Sequence, residues 1–241
     1  MRLKLKFYLS DSQNKIYDYY FNKYDVQGMI YSTLLDANMA DIHNGNGIRF
    51  FSFSDVFPVD KLNRDTIYNL IISSPKEDLI NTLYDVFLKN NYIYLSNYKF
   101  KMLNLEKFNL RLSKEFITGS PVVIYLNNKA NKYFSLKNED SIAFLLRRIK
   151  ENAIKKFNQF YGEDIQINHL IFDYLKFHKE VSVYLEKGKK KFNIIGTTWY
   201  SLKLNRIRRN EEKFYKFIMD TGIGEKNSLG FGFLNPVMQH E

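Results

Sequence analysis

The sequence predicts an α+β fold of two tandem βαββαβ units, residues 1–115 and residues 116–241. Three observations predict it. The chain opens on a strict alternation: Leu3, Leu5, Phe7 and Leu9 point one way, and Arg2, Lys4, Lys6 and Tyr8 the other. That pattern marks a strand with one buried face. Apolar runs then follow in the order strand, helix, two strands, helix, strand. The same order recurs in the second half, although the two halves share no sequence similarity. A length of 241 residues suits two such units better than one irregular domain.

Taken in order, the first strand leads to a helix over 24–36, with Val26, Met29, Ile30, Thr33 and Leu34 on its apolar face. The loop "DIHNGNG" precedes strands in "IRFFSFSDVF" and "DTIYNLIIS". Ser74 caps a second helix, with Pro75 at its first position and Leu79, Leu83 and Val86 or Phe87 inside. Strands in "NYIYLS" and "YKFKMLNLEKFNL" close the set, giving the order of a ferredoxin-like unit. In the second half, "TGSPVVIYL" reads as a strand. A long helix over 140–160 carries Ile142, Leu145, Leu146, Ile149 and Ala153 at helical spacing. Further strands lie in "NHLIFDYLKF" and in a hairpin with its tip at "EKGKKK". A helix over 210–220, a glycine stretch and a last strand, "FGFLNPV", complete the chain.

Composition removes several function classes. There are no cysteines, so disulfides, thiolate metal sites and cysteine nucleophiles are excluded. The four histidines are scattered without metal-ligand spacing, so no metal or cofactor is expected. No segment approaches the roughly 18 consecutive apolar residues of a membrane helix, and a cytoplasmic location is expected. The net charge is +10 and lopsided. Residues 1–120 carry 15 basic against 13 acidic residues, and residues 121–241 carry 21 against 13. A biased codon usage accounts for a basic total but not for this asymmetry, which suits a polyanion such as nucleic acid. The basic set is Lys187, Lys189, Lys190, Lys191, Arg206, Arg208 and Arg209. It reads either as a solvated hairpin and helix start or, as a group, as a phosphate contact.

The stretch "GIGEKNSLGFGF" holds four of the eleven glycines: Gly222, Gly224, Gly230 and Gly232. It is not a Walker A loop, because no Lys-Ser/Thr pair follows a final glycine. It is not a dinucleotide fingerprint, because position 227 is Asn and no strand leads into it. It is not an RNP1 motif, because Leu229 and Pro236 stand where a basic and an aromatic residue belong and too little chain follows. A helix C-cap accounts for Gly222. The remaining reading is a loop, with Lys226 in it, that brings backbone N–H groups close to phosphates.

"GEKNSLGFG" before a final strand resembles the glycine-rich signature of CRISPR-associated endoribonucleases of the sixth Cas protein family, which process precursor CRISPR RNA. "YDVQGMIYSTL" and "DIHNGNGIRFFSFS" resemble that family's first helix, its catalytic-histidine loop and the following strand. "FITGSPVVI" resembles the segment opening the second half. The matches run in consistent order from end to end, and the family fold is two ferredoxin-like units. The resemblance implies metal-independent cleavage of CRISPR repeat RNA by its own 2′-hydroxyl, leaving 2′,3′-cyclic phosphate and 5′-hydroxyl ends. It implies Tyr31 and His43 as catalytic residues, with Arg49 where members carry a lysine. Arginine stabilises phosphate charge but does not give up a proton. Tyr31 also reads as a packing residue, and Arg49 as a partner for an acid. The runner-up is a non-catalytic subunit that holds CRISPR RNA. Candidate partners beyond the repeat RNA are a CRISPR effector complex and a second copy of the chain. His169, His178 and His240 have no matching context.

Overall fold

The structure, a computed structural model, describes residues 1–10, 19–39, 49–138, 141–187 and 190–237. The first half contains β1 (Arg2–Leu9), α1 (Lys23–Asp36), β2 (Ser52–Phe53), β3 (Ile67–Ser73), α2 (Glu77–Asn90), β4 (Tyr92–Leu95) and β5 (Tyr98–Phe108). They form an antiparallel sheet in the order β2-β3-β1-β5-β4. Without β4, which adds an edge by hairpinning onto β5, this is the ferredoxin-like order. The alternation of β1 explains its central place. Leu3, Leu5 and Phe7 are fully buried beneath α1 and α2 in the first core, with Ile30, Leu70, Leu83 and Phe100.

Two elements of this half differ from the sequence reading. Within 49–57, strand pairing with β3 is confined to Ser52–Phe53 and an isolated Phe57–Asn69 bridge. Helix α2 starts at Glu77, not at Pro75. The Ser74 hydroxyl accepts the Lys76 N–H at 3.0 Å and donates to the Phe50 carbonyl at 2.6 Å. It therefore shapes the turn before the helix.

The second half contains β6 (Glu115–Thr118), β7 (Tyr125–Asn127), β8 (Lys132–Tyr133), α3 (Ile142–Tyr161), β9 (Tyr174–Lys187), β10 (Lys190–Lys203), α4 (Glu212–Thr221) and β11 (Leu234–Pro236). Its antiparallel sheet runs β11-β6-β10-β9, again the ferredoxin-like order, while β7 and β8 form a separate ribbon. Ser141 caps α3 by accepting the Phe144 N–H, and left-handed Gly162 ends it. The expected strand 118–126 is interrupted. Between β6 and β7, Val122 bridges to Thr197 and Val123 to Glu225, so this apolar run is buried across the mouth of the glycine stretch. Of the expected strand at 168–177, residues 174–177 open β9, while 168–173 are irregular, with Ile171 and Phe172 plugged into the second core.

The halves are locked together by Arg2. Its guanidinium is almost wholly buried, donates to the carbonyls of Met219 and Leu234 at 2.7 and 2.6 Å, and stacks over the Phe233 ring. Burial pushes its pKa down to about 10, against the opposing pull of Asp220. The adjacent Met1 ammonium pairs with Asp220 at 3.1 Å.

Candidate functional site

The glycine stretch forms a loop between α4 and β11, threaded through the protein's own backbone. Gly222, Gly224, Gly230 and Gly232 all have positive φ. A β-carbon on Gly232 would sit 1.9 Å from the Ile223 carbonyl oxygen, and one on Gly230 would sit 2.2 Å from the Phe53 ring. A β-carbon on Gly224 would meet the Val123 carbonyl at 2.6 Å, and one on Gly222 the Gly232 carbonyl at 2.7 Å. The N–H groups of Gly222, Gly230 and Gly232 donate to the carbonyls of Ile218, Asn227 and Pro121. This corrects the expectation that these glycines hold N–H donors open for phosphate. Those three donors are satisfied internally, and what the glycines approach so closely is the chain itself.

Two lysines and two amides hold the loop. Lys156, on the apolar face of α3 and fully buried, donates to the Gly222 carbonyl at 2.9 Å and to Asn227 Oδ1 at 2.7 Å. Burial pushes its pKa down to about 7, partly offset by Glu225. Asn227 in turn donates to the carbonyls of Ile223 and Phe231, both at 2.9 Å. From the other side, Lys23 at the start of α1 donates to the Gly230 carbonyl at 2.7 Å and pairs with Asp55. One turn later Gln27 donates to the Ser228 carbonyl at 2.8 Å. The loop is thus clamped between α1 and α3.

The same clamp fixes α1, which carries Tyr31. Tyr31 lies half-buried against the first core, its ring edge-on to Phe51 at 5.8 Å between centroids. Phe51 is two residues beyond Arg49, so α1 and the Arg49 segment are in contact. That segment straddles both halves. Phe51 is in the first core, while Phe50 packs edge-on to Phe160 at 4.9 Å in the second. His43 lies outside the described residues.

The basic residues do not form one patch. Lys187 and Lys190 pair across the hairpin tip, beside the N-terminus of α1, where Asn22 reaches the Glu186 carbonyl at 3.4 Å. Lys190 and Lys191 are exposed there, Lys191 facing Glu186 at 4.0 Å; Lys189 lies outside the described residues. Arg206, Arg208 and Arg209 follow the far end of β10. A 14-residue strand separates the two clusters. At roughly 3.3 Å per residue this is on the order of 40 Å. The arginines instead join His169, Asp173, Asn205 and Glu211 around a pocket of about 240 Å³, excepting Arg209. There Glu211 is buried, held by His169 Nε2 at 2.9 Å and by the Arg208 N–H. Among the described residues, the fold sets the lysines and the arginines of this set at opposite ends of β10.

The profile of the family described as CRISPR associated protein Cas6, C-terminal, matches residues 104–236. The chain is 42% identical to CRISPR-associated endoribonuclease Cas6 2 of Methanocaldococcus jannaschii, over 98% of this chain and 100% of that protein. It belongs to the Cas6 family. Among solved structures it resembles "CRISPR associated protein Cas6" at a TM-score of 0.71 and 21% identity, covering 99% of both chains. It also resembles "An RAMP protein binding different RNA substrates" at 0.72 and 18%, covering 99% of this chain and 100% of that one. These two likenesses concern the fold.

Sequence reasoning passed over the residues that hold the Cas6 glycine loop in place. Lys156 left one trace, a basic residue three positions after Ala153 on the buried stripe of α3. A charge at a core position asks for a partner. Lys23 and Gln27 left none, since their acceptors on the loop lie some 200 residues away, Gln27 and Ser228 being 201 apart.

Proposed function

We propose that this chain is an endoribonuclease that cuts CRISPR repeat RNA within precursor transcripts, without a metal. Its near full-length likeness to a named CRISPR-associated endoribonuclease carries the reading. The 2′-hydroxyl attacks the adjacent phosphorus, its proton leaves to a base, the P–O5′ bond breaks and the 5′-oxygen takes up a proton. Products are a 2′,3′-cyclic phosphate and a 5′-hydroxyl. His43 moves a proton, because imidazole exchanges one near neutral pH. Tyr31 holds the nucleophile, and Arg49 stabilises charge on the free phosphate oxygens. Residues 1–115 supply this chemistry, and residues 116–241 hold the RNA. The lysines of the β9–β10 tip bind phosphate beside α1. The edge contact of Tyr31 with Phe51 supports the arrangement by joining the helix to the Arg49 segment. A CRISPR effector complex and a second copy of the chain are further partners in this reading.

The test is single-turnover cleavage of labelled repeat RNA in EDTA, with product ends identified. One cut position with a cyclic phosphate is expected. His43→Ala should lose about 10²–10⁴ in rate while RNA affinity stays nearly intact, since the proton moves only in the transition state. Cleavage that needs magnesium, or a His43→Ala protein cutting at the wild-type rate, overturns the mechanism.

A further inference from the structure

A groove of about 570 Å³ opens between α3 and the outer side of the glycine loop. Arg147 and Arg148 line it from α3, Tyr125 and Asn128 from around β7, and Glu225 and Lys226 from the loop. Its charges are not equivalent. Arg148 is occupied, bonding Glu225 at 3.2 Å and Glu151 at 3.3 Å. The other Glu225 oxygen accepts the Tyr125 N–H at 2.9 Å. Both carboxylates are therefore answered from within. Arg147 is 63% exposed and reaches Glu151 only at 3.8 Å. Lys226 has no carboxylate in ion-pair range among the described residues and lies 5.2 Å from the centroid of the Tyr125 ring. That ring is stacked on Tyr133 at 4.9 Å, which makes a stiff aromatic floor.

Lys226 is the telling residue. Its backbone is left-handed, at φ 59 and ψ 31. The turn requires this, because the Lys226 carbonyl accepts the N–H groups of Leu229 and Phe231. The turn does not require the side chain. A left-handed residue with a β-carbon is strained, and glycine or asparagine fits there more easily. A cation is kept at a position where the backbone favours something else, and it faces a groove that holds a second loosely paired cation.

We infer that this groove is a binding site for the phosphodiester backbone of single-stranded RNA, with Arg147 and Lys226 on phosphates and the Tyr125 ring beneath the sugar or base. Arg148 is a strut that bonds the two carboxylates, and the five charged residues of the groove sum to a net positive charge. The loop is held on one side by α1, which carries Tyr31, and on the other by α3, which lines the groove. The inference rests on the endoribonuclease reading and extends its substrate contact beyond the reacting bond.

The test is the salt dependence of binding to a labelled single-stranded CRISPR repeat RNA, measured by fluorescence anisotropy. Each phosphate contact on a single strand contributes about 0.7 to the slope of log K against log salt. The double variant Arg147→Gln/Lys226→Asn should lose about 1.4 of that slope. Asparagine accepts the left-handed backbone, and the melting temperature verifies that the variant folds. Lys107→Gln on β5 removes a charge whose ammonium bonds Asn81 away from the groove, and should leave the slope unchanged. A double variant with the wild-type slope, or an equal loss with Lys107→Gln, overturns the groove alone, provided the wild-type protein binds and cuts the repeat. A wild-type protein that does neither overturns the endoribonuclease reading and the groove with it.

Discussion

The glycine loop and the β9–β10 hairpin tip both sit beside α1, and their sequences are equally suggestive of contact with a polyanion. Their structures are opposite. The loop is buried, three of its four glycine N–H donors are consumed internally, and its one cation projects sideways into the α3 groove. The tip presents exposed lysines. Glycine here serves close approach of the loop to the protein's own backbone and, at Gly230, to the Phe53 ring, and binding charge lies on what surrounds the loop. A glycine-rich signature is thus first a statement about folding.

That contrast breaks most visibly at Gly232. Its φ of 68 and the 1.9 Å clash with Ile223 predict that Gly232→Ala destabilises the fold strongly. Overpacking of roughly 1–3 kcal/mol adds to a left-handed cost of roughly 1–2 kcal/mol. Urea unfolding should show a loss of about 3 kcal/mol or no folded protein, and wild-type stability would return the glycine to a ligand-facing role. Lys156→Met comes next. It leaves the Gly222 carbonyl and Asn227 Oδ1 without their donor, at about 1–3 kcal/mol for each buried unsatisfied group.

The pH dependence of Lys156 gives a second readout. Its folded pKa of about 7 lies below the ordinary 10.5, so the unfolded chain binds the extra proton between those values. Its contribution to stability is complete above 10.5 and is lost as pH falls through about 7. Melting temperature should therefore rise with pH across this window in the wild type, and rise less in Lys156→Met. A smaller effect, of the opposite sign, is expected at Gly28, an exposed glycine inside α1 with nothing within 4 Å of an added β-carbon. Gly28→Ala should stabilise by about 0.5–1 kcal/mol, from helix propensity alone. The smallest change in stability is expected at the tip. Lys190→Ala with Lys191→Ala should stay within about 0.5 kcal/mol of wild type. The same pair should lower the salt slope of RNA binding by about 0.7 for each phosphate that the lysines engage; an unchanged slope would mean these lysines only face solvent.

The elements legible in the sequence were those fixed by local periodicity. Leu3, Leu5, Phe7 and Leu9 name β1, and Leu145, Leu146, Ile149 and Ala153 name the buried side of α3. What escaped was settled by distant partners. The run 118–126 reads as a strand, yet its Val122 and Val123 are fixed by Thr197 and Glu225, and the regular ladder stops at Thr118. Four glycines pointed to close approach, but nothing in their neighbours said that Phe53, Val123 and Pro121 were what they approached. Grouping the basic residues between Lys187 and Arg209 hid the length of β10, which carries the arginines away from the lysines. At the candidate site, the α1 helix was placed to within a residue, and the Tyr31–Phe51 contact followed from no local pattern.

The Arg49–Phe51 segment has a consequence for how this chain diverges. Phe50 belongs to one core and Phe51 to the other, so neither half is an independent cassette. Recombination between relatives at a junction before β6 would carry Phe50 from one parent into a socket of Phe160 and Phe217 from another. Chimeras must inherit these three rings from a single parent to keep the segment seated. Drift in either half is then constrained by the other, although the halves have no sequence in common.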